Sequence, residues 1–210
     1  MQIDIRAMEL LASRLCHDLV SPVSAINNGV ELIQDIGGDV VDEAMKLIGN
    51  SAEQASRRLR LFRFAYGRAG SEENATPKDV RQVVMQYMAG GKLNLTWAET
   101  ALDEKFSYHR GALKVLVNAL MLAEETLAYG GSISLYGDGS TCRIEIAGRA
   151  AQLAPPFQAA LDGTAPVDEV TARTIQAYIT GKFAEHFGIK VSYSQPVPDR
   201  LDMTLAVAAV

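Results

Sequence analysis

Cysteine and histidine are scarce in this sequence of 210 residues, and their scarcity excludes several kinds of site. The two cysteines, Cys16 and Cys142, are too few for a disulfide framework, and their spacing is not that of metal ligands. The chain holds three histidines in all, so we expect no structural zinc site and no bound metal.

Long apolar runs and a surplus of positive charge are missing as well. No apolar run approaches the ~20 residues that cross a bilayer, and the first residues (MQIDIRAMEL) lack the basic-then-apolar order of a signal peptide. We therefore expect a cytoplasmic protein that does not bind a membrane. The formal net charge of −5 argues against a nucleic-acid surface, which leaves a protein partner or a small ligand.

Residues 1–70 carry a helical repeat of apolar side chains. These side chains recur at spacings of three and four and form one stripe on each of two predicted helices. The stripes consist of Met8, Leu11, Leu15, Leu19, Val23, Ile26, Val30 and Ile33, and of Val41, Met45, Ile48, Ala52, Ala55, Leu59, Phe62 and Tyr66. Between them, Ile36-Gly-Gly-Asp39 predicts a helix end and, at Asp39, a cap for the second helix. Because two helices cannot enclose a core, we expect a homodimer in which two hairpins form a four-helix bundle.

Residues 71–77 (SEENATP) are polar, end in proline, and predict a linker to a second domain over residues 78–210. Helical and strand patterns are mixed in this second part. The predicted helices cover about 76–88, 108–129, 155–161 and 170–187, and the predicted strands cover 93–98, 133–136, 142–146, 189–194 and 201–207. The fold class is therefore α+β, with a C-terminal two-layer α/β sandwich after the helical hairpin.

His17 is the candidate reactive residue. Two positions along a helix turn the side chain by 200°, so His17 lies nearly opposite the apolar Leu15 and Leu19. The side chains that share its face are mostly small and polar, which leaves room for another protein to approach: Arg14, Ser21, Ser24 and Asn28. A neutral imidazole nitrogen is a competent nucleophile toward phosphorus, so we predict that His17 accepts a phosphoryl group. The alternative is a surface histidine without a role.

Two neighbours of His17 support that prediction. Asp18 is placed to orient the imidazole or accept a proton, although it is also compatible with an ordinary solvated acid. Pro22 lies inside the predicted helix, where a proline removes a backbone hydrogen bond at a cost of roughly 3 kcal/mol. Such a proline loosens the helix just after the histidine.

These residues carry a resemblance to the sensor histidine kinases. The segment His17-Asp18-Leu19-x-x-Pro22 resembles their H-box, on a hairpin like their dimerisation and phosphotransfer domain. Leu116–Ala123 resembles the N-box helix of their ATP-binding domain, and Ala177–Ser194 resembles its last helix and following strand. The resemblance implies that the second part of the chain has the fold of that domain.

The chain departs from the kinase pattern at three places. Leu122 stands where the resemblance implies a second asparagine that holds Mg²⁺, and a leucine cannot ligate a hard cation. No acid stands near Gly148, where the family has the aspartate that binds adenine, and Thr164–Val170 lacks the glycines of the phosphate loop. We therefore expect no ATP binding, no autokinase reaction and no cofactor held by this chain.

A histidine hairpin with a degenerate ATP-binding domain resembles the dimeric histidine phosphotransferases of alphaproteobacteria, the ChpT family. Cys16–Leu32 and Ser51–Leu59 are the segments that carry this closer resemblance. It implies that His17 accepts a phosphoryl group from a receiver aspartate of a hybrid kinase of the CckA type. The group then passes to response-regulator receivers of the CtrA and CpdR type in cell-cycle control. The resemblance also implies that the partner receiver supplies Mg²⁺. The receiver itself would be bound with the help of Arg14, Ser21, Ser24 and Asn28.

Other interpretations stay open. The chain could be a non-catalytic pseudokinase adaptor that binds receivers, or a true histidine kinase with an unusual ATP site. A second open point is a group of arginines at the end of the second helix: Arg57, Arg58, Arg60, Arg63 and Arg68. They are typical of a solvated helix end that complements the helix dipole, or of a patch that binds an acidic partner.

Overall fold

The computed structural model describes residues 4–36, 38–68, 75–98 and 101–208. The chain begins with a helical hairpin of α1 (Ile5–Asp35) and α2 (Val41–Ala65), joined through a short 3-10 turn (Gly38–Val40). The Asp4 carboxylate accepts the Arg6 backbone N–H at 2.8 Å and so caps α1. The predicted hairpin is confirmed.

The connection between the two helices differs in detail from the prediction. Val40 occupies the N-cap position of α2 and offers no side-chain hydrogen bond. The predicted cap, Asp39, is one residue too early, and its side chain lies outside the described part of the chain. Two acids in the first turn of α2, Asp42 and Glu43, instead complement the helix dipole.

The second part of the chain starts with α3 (Pro77–Met88). Thr76 caps this helix: its hydroxyl accepts the Asp79 N–H at 3.2 Å, while the Asp79 carboxylate accepts the Thr76 N–H at 3.1 Å. Within the predicted linker of residues 71–77, residues 71–74 lie outside the described ranges. The division into two domains at this linker stays a prediction.

The remaining elements form the two-layer arrangement that the sequence predicted. They are β1 (Leu93–Trp97), α4 (Glu104–Ser107), α5 (Ala112–Glu125), β2 (Gly131–Asp138), β3 (Thr141–Ala147), α6 (Pro155–Leu161), α7 (Ile175–Phe187), β4 (Ile189–Val197) and β5 (Arg200–Val207). The sheet order is β1-β2-β3-β5-β4; β1 and β2 are parallel and the other neighbours are antiparallel. The α+β fold class is therefore confirmed.

The predicted helix over residues 108–129 is shorter than expected and starts later. Gly111 precedes α5 with a φ of +80°, a left-handed conformation that glycine adopts readily. A Cβ there would also lie 2.2 Å from the Phe187 ring. The chain therefore turns at Gly111, and the helical residues before it form the separate short α4.

One hydrophobic cluster joins both parts of the molecule. Ala7, Leu61, Phe62 and Ala65 of the hairpin belong to the same buried cluster as the inner faces of the strands. All of α5 from Ala112 to Ala123 is buried, because this helix packs against α2, α3 and α7. Among the described residues, none of the helices combines the length and the apolarity needed to cross a bilayer.

Candidate functional site

His17 lies in the middle of α1 with its imidazole almost completely open to solvent, at 89% exposure. The Asp18 carboxylate is half-buried beside it, and its Oδ1 is 3.5 Å from Nδ1 of the imidazole. The carboxylate therefore faces one ring nitrogen and leaves the other free. A solvent-open imidazole with one free nitrogen can attack a phosphorus centre that a second protein brings to it.

The exposed face around His17 agrees with the sequence prediction. Ser21, Ser24 and Asn28 are all exposed on the same helix, one to three turns after the histidine. Val20 adds apolar surface there, at 59% exposure. An exposed face with short polar and apolar side chains suits a protein partner. That these residues bind one stays a prediction.

Arg14 lies in a different position from the one expected for a partner contact. Its guanidinium turns inward and forms an ion pair with Glu125 at the end of α5; the two side chains are 18% and 21% exposed. Burial raises the pKa of Glu125 to about 7, and the attraction of Arg14 opposes that rise. The geometry thus assigns Arg14 to holding α1 against α5.

A second acid at the end of α5, Glu124, lies among the same polar groups. Burial raises the pKa of Glu124, while a hydrogen bond from Tyr87 and the nearby guanidinium groups of Arg14 and Arg58 act in the opposite direction. Burial and the neighbouring Glu124 carboxylate also raise the pKa of Tyr87. Side chains of α1, α2, α3 and α5 therefore meet in one polar cluster near Asp18.

The arginines of α2 turn out to be specific tethers. Arg58 is partly buried, and its Nη1 donates a hydrogen bond to the main-chain carbonyl of Asp18, next to the candidate phosphoacceptor. Arg57 pairs with Glu53 and donates to the Ala89 carbonyl at 3.4 Å, and Arg60 donates to Gln86 at 3.3 Å. Arg58 therefore fits neither prediction, whereas Arg57 and Arg60, whose hydrogen bonds lie at the surface, remain compatible with a solvated helix end.

The helix that resembles the N-box is used to hold the hairpin. Asn118 is fully buried, and its amide donates to the Ala65 carbonyl at 2.8 Å and to the Lys114 carbonyl at 2.9 Å. Its amide oxygen accepts from Gln176 at 3.0 Å. Leu122 is fully buried in the hydrophobic core, so this position does not line a cleft.

Two further contacts strengthen the junction between the hairpin and the helix layer. The buried Lys114 ammonium donates to the carbonyl of Ala65, the last residue of α2, and to that of Gly67 beyond it. It also lies 4.8 Å from the centre of the Phe183 ring. The Tyr66 hydroxyl donates to Gln176 at 2.6 Å. The end of α2 is thus fixed on α5 and α7.

The other two departures from the kinase pattern lie in turns. Gly148 follows β3, where its N–H donates to the Asp199 carbonyl at 3.0 Å, and the Asp199 carboxylate accepts the Ala150 N–H at 2.7 Å. The segment 164–170 contains a 3-10 turn (Val167–Glu169) and ends at the buried Val170. That ATP does not bind stays a prediction.

The described residues line two clefts of similar size, among others. One, of about 660 Å³, lies between α2 and the turn after α3 and is lined by polar residues that include Arg57, Arg58, Tyr87 and Glu124. The other, of about 670 Å³, lies at the β2–β3 turn beside His109. Within the described ranges, no group of three or more acidic, histidine or cysteine side chains could hold a metal ion.

Comparisons with known proteins agree with one another. Residues 77–198 match the family described as "Histidine phosphotransferase C-terminal domain". The protein phosphotransferase ChpT of Brucella abortus (strain 2308) is 35% identical over 195 residues, which are 90% of this chain and 90% of that protein. A bacterial phosphotransferase solved at 1.7 Å superposes with a TM-score of 0.76 at 31% identity and covers 98% of both chains.

Proposed function

The chain belongs to the histidine phosphotransferase family, and on that premise we propose that His17 carries a phosphoryl group between two receiver domains. The observation that supports this most is the 89% exposed imidazole on a helix face of short side chains. In the proposal, the donor is an aspartyl phosphate on the receiver of a hybrid kinase of the CckA type. The acceptors are receiver aspartates of regulators of the CtrA and CpdR type, in cytoplasmic cell-cycle signalling.

The position of Asp18 favours Nε2 as the attacking nitrogen. Its carboxylate lies near Nδ1, where it favours a proton, so the lone pair of Nε2 points away from the carboxylate and toward solvent. Nε2 attacks phosphorus in line, the N–P bond forms, and the aspartyl P–O bond breaks with the carboxylate leaving. The imidazole then carries positive charge beside Asp18, which stabilises it until the second receiver takes the phosphoryl group.

Phosphoryl transfer depends mainly on positioning and on neutralising the charge of the moving group. The proposal assigns the Mg²⁺ and its ligands to the receiver and gives this chain the nucleophile and the docking face. Ser21, Ser24 and Asn28 lie within that face. Arg14 is paired with Glu125, so we do not assign it to the moving phosphoryl group.

A second copy of the chain would complete the hairpin as a four-helix bundle. The exposed apolar side chains of α1 and α2 support this: Met8, Val30, Met45 and Leu59 are 58%, 40%, 56% and 54% exposed. Large apolar side chains at this density along one hairpin favour an interface, because burying them removes apolar surface from water. The family resemblance points the same way.

Label transfer tests the proposed function. The chain is incubated with radiolabelled ATP alone, and separately with hybrid-kinase receivers that carry labelled aspartyl phosphate. We expect label only from a receiver, and none in the His17→Asn variant. Label from ATP alone would instead identify a kinase, and binding of receivers without label would identify the adaptor.

A further inference from the structure

Pro22 removes a specific hydrogen bond from α1. In an α-helix, the N–H of each residue donates to the carbonyl four residues earlier, and proline has no N–H. Pro22 is inside α1, so the carbonyl of Asp18 has no helical donor at the usual position. A main-chain carbonyl near the protein interior requires another partner, because leaving it unpaired costs free energy.

Arg58 of α2 supplies that partner. Its Nη1 donates to the Asp18 carbonyl oxygen, across 40 residues of sequence. A hydrogen bond from a charged guanidinium is stronger than the neutral backbone bond that it replaces. The same atom, the carbonyl oxygen of Asp18, therefore lacks its helical donor and accepts the hydrogen bond from Arg58.

We propose that Arg58 is a positioning residue for His17: it takes the place of the backbone donor that Pro22 lacks and fixes the helical turn that holds the phosphoacceptor. This inference rests on the proposed function for its kinetic consequence. The Asp18 carbonyl, the Asp18 carboxylate and the His17 backbone belong to the same turn. A shift of that turn would move both the nucleophile and the acid beside it.

Arg58 lies in a polar cleft. The carboxylate of Glu124 and the hydroxyl of Tyr87 line the same polar cleft as Arg58 and Arg57. Arg58 therefore faces groups of α3 and α5 as well as the Asp18 carbonyl of α1. A small misplacement of a reacting group can cost a factor of about 100 in rate, so a fixed turn matters for in-line attack.

A pair of substitutions separates this role from a general contribution to folding. Pro22→Ala restores an N–H that can donate to the Asp18 carbonyl, so Arg58 becomes dispensable in that background. Arg58→Met removes the donor, and Arg58→Lys keeps a charged donor on a shorter side chain. Arg57→Met is the matched control, because Arg57 is the neighbouring arginine and bonds Glu53 and Ala89 instead.

The readout is the first-order rate of label transfer at saturating concentration of a phosphorylated receiver that loads the wild-type chain, together with the dissociation constant of that receiver. We expect Arg58→Met to slow transfer by about tenfold or more with little change in affinity. We expect Arg58→Lys to recover part of the transfer rate, and we expect the rate of Arg57→Met to stay within about twofold of the wild-type rate. Adding Pro22→Ala to Arg58→Met should bring the rate within about threefold of Pro22→Ala alone.

An equal loss from Arg58→Met in both backgrounds, or no loss in either, would overturn the inference. The carbonyl carbon chemical shift of Asp18 gives a second test that needs no receiver. It should change in Arg58→Met but not in Arg57→Met, and the double variant should resemble Pro22→Ala. Should the wild-type chain accept no phosphoryl group at all, the proposed function fails, while this shift still decides the role of Arg58.

Discussion

The Asn118 side chain donates a hydrogen bond of 2.8 Å to the main-chain carbonyl of Ala65, the last residue of α2. The last four carbonyls of a helix lack partners within that helix, and this one is satisfied by the neighbouring layer. The Gln176 side-chain amide donates to the Asn118 amide oxygen at 3.0 Å. The residue that resembles a nucleotide-site asparagine is therefore committed to holding the hairpin in place.

Replacing Asn118 should destabilise the protein. Asn118→Ala removes the 2.8 Å hydrogen bond to the Ala65 carbonyl, which keeps only the longer one from Lys114 at 3.5 Å, and it leaves one Gln176 donor unpaired. Because the site is fully buried, we expect a loss of about 1–3 kcal/mol in the free energy of unfolding. Urea denaturation followed by circular dichroism measures it. The exposed Asn94 provides a control as Asn94→Ala, expected to change stability by less than about 0.5 kcal/mol. Equal stability of the two variants would show that the Asn118 contacts contribute little.

Lys114 should make stability depend on pH in the alkaline range. Burial lowers the pKa of Lys114 to about 8, whereas an unfolded lysine titrates near 10.4. Between these values the unfolded chain binds more protons than the folded chain, so this group's contribution to stability rises as the pH rises. The gain across this window is on the order of 3 kcal/mol for a shift of this size.

The comparison of wild type with Lys114→Met isolates that contribution. Urea unfolding at several pH values from about 7.5 to 10 should show the wild type gaining stability relative to the variant as the pH increases. Lys190→Met, at an exposed lysine of β4, should show no such trend relative to wild type. A constant difference between wild type and Lys114→Met would show that Lys114 keeps an ordinary pKa.

The proposed dimer should depend on the exposed apolar face of the hairpin. Met45→Asp places a charge where the second hairpin is expected to pack, so the variant should be monomeric. Light scattering in dilute solution should give twice the 22.7 kDa chain mass for wild type and the single mass for Met45→Asp. Met85→Asp on α3, also at an exposed methionine, should keep the dimer mass. A wild-type mass of 22.7 kDa would contradict the dimer.

The sequence alone was sufficient to predict the helical hairpin and the exposure of the helix face that carries His17. Both follow from the angle between successive residues of one helix, which the spacing of apolar side chains reports directly. The same reasoning misplaced Arg14, because the end of α5 covers that side of α1. The local sequence of α1 does not indicate which distant helix packs against it. The break at Gly111 was missed for a related reason: it depends on the Phe187 ring, 76 residues away.

The sequence holds one signal for the contact that Arg58 makes. A sequence with five arginines near one helix end looks the same whether their side chains are solvated or hydrogen-bonded within the protein. The signal was Pro22, four residues after Asp18, which implies a carbonyl in need of a donor. Sequence alone could not say which arginine of α2 reaches it, because that depends on how the two helices are rotated against each other.

The phosphorylated atom is the most direct test of the whole account. The chain, labelled with ¹⁵N at its three histidines, is loaded from a phosphorylated receiver and examined by phosphorus–nitrogen correlated NMR. We expect one phosphohistidine, with phosphorus bonded to Nε2 of His17 and absent in His17→Asn. Phosphorus bonded to His109 or His186, or found on an oxygen, would contradict it.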